Sequence, residues 1–103
     1  MMDDLTDRIG TGLDADGVLT SAAFALAFEQ IELELTEAWK RSPARDADGR
    51  EKIHLALNLL LKVRTKLESM VQDGNLAQKR LEELNRPKSS FERLKDSMSS
   101  WAE

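Results

Sequence analysis

The chain has one histidine, His54, three residues after Glu51. A carboxylate and an imidazole at that spacing share a helix face, as the Glu-x-x-His pairs of di-iron helical bundles do. The glutamate-rich segment from Glu29 to Glu37 could add further ligands. Position argues against a metal centre: Glu51 and His54 fall in the first turn of a helix beside a loop, and His54 misses that helix's main apolar stripe. The pair reads as surface residues. With no second histidine and no cysteine, histidine-pair zinc sites, thiolate sites and cysteine nucleophiles are absent. Asp14-Ala15-Asp16-Gly17 and Asp46-Ala47-Asp48-Gly49 resemble calcium loops, but the glycine comes two places early and no glutamate closes either loop at the twelfth position. Gly10-Thr11-Gly12 lacks the later Gly-Lys and the preceding strand of a phosphate loop. Ser97, Ser99 and Ser100 have no base nearby in sequence. The expectation is a non-enzymatic protein with no catalytic residue, cofactor or metal.

The elements that would carry these residues are set by composition. A chain of 103 residues makes about one small domain. With 33% charged and 5% aromatic residues, five glycines and two prolines, long helices are favoured over low-complexity or collagen-like structure. No apolar run approaches the roughly 18 residues of a membrane span. The net charge of −4 resides in the first twenty residues, where five aspartates face only Arg8. The rest is neutral and evenly mixed, a poor electrostatic partner for nucleic acid, which needs clustered positive charge.

Residues 1–19, with Gly10, Gly12 and Gly17 among aspartates, read as an acidic flexible arm. Thr20 or Ser21 caps a helix to about Arg41, with Phe24, Phe28, Ile31, Leu35 and Ala38 as its stripe. Leu26 and Leu33 lie off that stripe. Pro43 disfavours helix at Ser42. Asp48, with Glu51 in a capping-box arrangement, opens a second helix whose stripe is Ile53, Ala56, Leu60, Val63, Leu67 and Met70. Gly74 is expected to stop it with a left-handed turn. Asn75–Asn85 is then a short third helix. Residues 86–103 form a linker and a C-terminal amphipathic helix opened by Ser89, with Phe91, Leu94, Met98 and Trp101 on one face. The expected fold is all-α: an antiparallel hairpin of two long helices within residues 20–85, plus one or two short trailing helices.

Leu55, Leu57, Leu59 and Leu61 interleave with Leu60, so the second helix is apolar almost all round. One hairpin partner covers roughly a third of such a surface, and each leucine left in water forfeits about 1.5–3 kcal/mol of burial. These four leucines, together with Phe91, Leu94, Met98 and Trp101, are the expected protein interface.

The order of motifs adds a resemblance. Phe28-Glu29-Gln30-Ile31-Glu32, Glu37-Ala38-Trp39, the stretch from Ala44 to Glu51, Leu60-Leu61-Lys62-Val63-Arg64 and Asp73-Gly74-Asn75-Leu76-Ala77 follow one another. Over roughly residues 19–84 the chain resembles a family of short helical proteins encoded by tailed bacteriophages and prophages, often among structural and packaging genes. The resemblance implies a phage setting, in the virion or the host cytoplasm, and supplies no catalytic residue. The functional expectation is a virion-assembly or structural component that associates with itself and with other phage structural proteins. The alternatives are a small DNA-packaging subunit and a phage-encoded inhibitor of a host protein.

Overall fold

The computed structural model describes residues 2–85 and is all-helical, with no strand among the described residues. Three helices follow in chain order: α1 over Met2–Leu19, α2 over Ala22–Arg41 and α3 over Ala47–Asn85.

Helix α2 begins and ends where its local chemistry dictates. Ser21 is extended and its side chain accepts a hydrogen bond from the Phe24 N–H at 3.4 Å, which satisfies one of the free donors of the first turn. Ser42 is extended in turn, at φ −70° and ψ 137°, because the ring of Pro43 clashes with a helical predecessor. Its N–H bonds back to the Ala38 and Trp39 carbonyls at 3.1 and 3.2 Å, so the helix end is tied off.

Helix α3 departs from expectation at both ends. Its cap is Asp46 and not Asp48: the Asp46 carboxylate accepts from the Gly49 N–H at 3.1 Å. The Asp46 N–H bonds to the Pro43 carbonyl at 2.9 Å, which fixes Asp46 at the exit of the turn, where a cap must stand. Asp48 lies inside the first turn. At the other end, Gly74 does not stop the helix. No described glycine has a positive φ, and α3 continues to Asn85, about 58 Å in all at 1.5 Å per residue. The third helix is therefore long: the segment expected as a short third helix is its last part.

The segment read as an acidic flexible arm is helical throughout as α1, which packs on the C-terminal half of α3. Leu5, Gly12 and Ala15 are buried on one face of α1, and Gly74 and Ala77 are buried on α3. A Cβ on Gly12 would lie 2.9 Å from the Gly74 Cα and 3.0 Å from the Met70 carbonyl oxygen. One on Gly74 would lie 3.0 Å from the Gly12 Cα. The two backbones touch, and only glycine permits that approach. Three glycines cost α1 about 1 kcal/mol each in helix propensity; docking on α3 offsets this, and local sequence does not reveal it.

Helix α2 meets the N-terminal half of α3. Phe28 is buried, with the Arg64 guanidinium 5.0 Å from its ring centre. The Arg50 guanidinium stands 4.1 Å over Trp39 and donates to the Ser42 carbonyl and hydroxyl at 3.1 and 3.0 Å. Arg50 thus joins the end of α2, the turn and the start of α3. The inward side chains differ from the expected stripes. On α2, Glu32 and Thr36 are half-buried beside Leu35, whereas Ile31 and Ala38 are exposed. On α3, Leu57 is half-buried with Ile53, Leu60 and Leu67, whereas Ala56 and Val63 are exposed.

Candidate interaction surface

The sequence-predicted chemistry is dispersed. His54 is exposed, and its Nε2 lies 3.2 Å from the Asn58 side-chain nitrogen, one turn along the same helix. Glu51 is exposed nearby. Among the described residues, no group of three or more His, Cys, Asp or Glu side chains could hold a metal ion.

A groove of about 590 Å³ runs between α2 and α3 over Phe24 and Phe28 and is rimmed by Glu29, Glu32, Arg64 and Glu68. Arg64 lies 3.5 Å from Glu68 as well as over Phe28. The Thr36 hydroxyl donates to the Glu32 carbonyl of its own helix at 2.8 Å. The rim therefore carries charge and an aromatic floor, with no nucleophile paired to a base.

A two-pronged polar contact links α1 to α3. Arg8 approaches Asp73 as a two-pronged fork, Nε to one carboxylate oxygen at 3.0 Å and an η-nitrogen to the other at 2.8 Å. Asp4 sits 3.7 Å from the same guanidinium. The hydrogen bonds from Arg8 hold the Asp73 carboxyl below the usual aspartate range, and those bonds in turn raise the guanidinium. The geometry suits orientation of two helices, since both groups already satisfy each other.

What the described surface offers in quantity is apolar side chains. Among the described residues, Leu5, Ala15, Phe28 and Ala77 are the buried apolar ones. Of the expected interface leucines, Leu55, Leu59 and Leu61 are exposed and Leu57 is half-buried against α2. The structure thus separates the four: Leu57 is turned toward the neighbouring helix and the other three toward solvent. Phe91, Leu94, Met98 and Trp101 lie outside the described residues, as do Ser89 and the whole 86–103 segment. Leu26, Leu33, Val63, Leu76 and Leu84 are also exposed and were not anticipated as interface. The offset of Leu26 and Leu33 from the α2 stripe was the available signal. For the glycine contact, the signal was the shared spacing of Gly12-Leu13-Asp14-Ala15 and Gly74-Asn75-Leu76-Ala77, two glycine-to-alanine steps of one helical turn.

Among the described residues, no helix is long and apolar enough to cross a membrane. Comparisons with known protein families, curated proteins and solved structures give no match to this chain.

Proposed function

We propose that this protein is a non-enzymatic assembly component, built on an α2–α3 hairpin, that works through helix-on-helix contacts with further copies of itself and with other structural proteins. The observation that carries the reading is the set of large apolar side chains left in water along both α2 and α3, against a described core of four buried apolar residues. At about 1.5–3 kcal/mol for each fully buried leucine, covering even two or three of these side chains would supply a substantial driving force for association. The phage setting rests on the motif order between residues 19 and 84, and places the protein in the particle or the host cytoplasm.

Light scattering tests the self-association directly. The expected mass exceeds the 11.6 kDa of one chain at micromolar concentration, and Leu59→Lys lowers it while helix content by circular dichroism stays unchanged. A mass of one chain across a wide concentration range would sink the self-association. Mass spectrometry of purified phage particles tests the setting, with the protein expected among their components.

A further inference from the structure

The exposed leucines of α2 and α3 stand on different sides of the helix pair and are bordered by complementary charges. On α2, Leu26 and Leu33 are 56% and 59% exposed and lie seven residues apart; Leu33 and Glu29 also border the groove over Phe28, and Glu37 and Lys40 flank the far end of the face. On α3, Leu55, Leu59 and Val63 are exposed on a side away from Leu57 and Arg64, with Lys52, Lys62 and Lys66 beside them and Asp48 at the N-terminal end. Helical geometry at 100° per residue groups each set on one face. Toward its C-terminal end this α3 face becomes the seat of α1, at Met70, Gly74 and Ala77, so part of it already accepts a helix.

We infer that the outward face of α2 in one copy docks on the outward face of α3 in a second copy. This rests on the self-association proposed above and names its surfaces. Within one chain, Trp39 meets Arg50 and Phe28 meets Arg64, so residue numbers rise along α2 as they fall along α3. Laid in that same register, the two outward faces set Arg41 against Asp48, Glu37 against Lys52, Leu33 against Leu55, and Leu26 against Val63. Glu29 then falls near Lys62. Among the described residues, the competing contact on these acids is weak: Glu37 stands 3.7 Å from the exposed Lys40, an i,i+3 pair of the kind readily exchanged. Two different faces meet, so the contact is head-to-tail, and each copy keeps one face free for the next. Such contacts close into a ring when the rotation allows and otherwise extend as a filament.

Charge reversal tests the pairing. E29K/E37K carries two basic faces and K52E/K62E two acidic ones. Each alone is expected to lose the species above the monomer in light scattering, through like-charge repulsion across the contact. An equimolar mixture, and a single chain carrying all four changes, are expected to assemble again. That fourfold variant keeps the test decisive if a single-face variant fails to fold. A wild-type chain that stays monomeric overturns both this inference and the self-association beneath it. Wild-type assembly that stops at a dimer overturns the head-to-tail pairing alone. So does assembly that the reversals leave intact, or that neither the mixture nor the fourfold variant restores.

Discussion

Gly12 and Gly74 illustrate how one residue type carries opposite instructions. Where the partner atom is backbone, as between these two, an added methyl has nowhere to go. Gly12→Ala gains about 1 kcal/mol in helix propensity but meets the Gly74 Cα at 2.9 Å. Overpacking of that kind costs about 1–3 kcal/mol, and because a helix backbone yields less than a side-chain tip, the cost wins. Gly10 and Gly17 have nothing within 4 Å of an added Cβ. Gly10→Ala and Gly17→Ala are therefore expected to stabilise by about 0.5–1 kcal/mol, against a loss for Gly12→Ala, in urea melts of the four proteins. Asp73 gives a second test at this scale. Its carboxyl is held low by the Arg8 hydrogen bonds, so its folded value lies under the unfolded one of about 3.9. The contribution is fully present above the unfolded value and is lost as pH falls through the folded one. Asp73→Asn should be less stable than the parent at neutral pH, with the gap closing below about pH 4. A gap of constant size from pH 7 to pH 3 would refute the coupling.

Helix boundaries set by side-chain caps and proline were legible in the sequence; boundaries set by tertiary contact were not. Ser21 and Pro43 bracket α2 through bonds a few residues long, and α2 runs from Ala22 to Arg41 as expected. The sequence reading placed the cap of α3 at Asp48, two residues late, because the position of the cap depends on where the Pro43 turn releases the chain. Asp46→Ala is accordingly expected to cost about 1 kcal/mol and Asp48→Ala about 0.5 kcal/mol, its share of the helix dipole, both by thermal melting. Helix α1 was misread for the reason that makes it fold: its glycines resemble a loop locally and serve as a contact surface globally. Gly74 was misread in the same way, as a stop where it is a seat. The stripes of α2 and α3 were legible in period but not in phase, since phase depends on where the neighbouring helix lies. Leu57 and Ala56 exchange roles for that reason. The outward leucines were legible on α3 and overlooked on α2, where two residues do not make a conspicuous stripe.

For the whole molecule, the self-association proposed above would couple folding to assembly, since few apolar side chains are buried among the described residues and many are exposed. A ligand that binds only the folded state raises stability by mass action, and a second copy of the chain would be such a ligand. The melting temperature is expected to rise with protein concentration for the parent. For Leu59→Lys it should be nearly independent of concentration over the same range. A parent melting temperature that stays constant across a hundredfold change in concentration would show that folding and association are separate.

The backbone contact between α1 and α3 also sets the order in which the protein comes apart. Most of what is buried among the described residues lies in this contact, with Leu5, Gly12 and Ala15 of α1 meeting Gly74 and Ala77 of α3 beside the Arg8 fork. Helix α2 brings only Phe28 into full burial. When α2 leaves, α3 keeps its own hydrogen-bonded ladder and its seat for α1. Sub-global opening should therefore release α2 as a unit, and amide protons of α2 should exchange with solvent together, ahead of those in α1 and in the part of α3 that α1 covers. A protein so arranged has two tiers of protection, and the acidic helix belongs to the one that opens last.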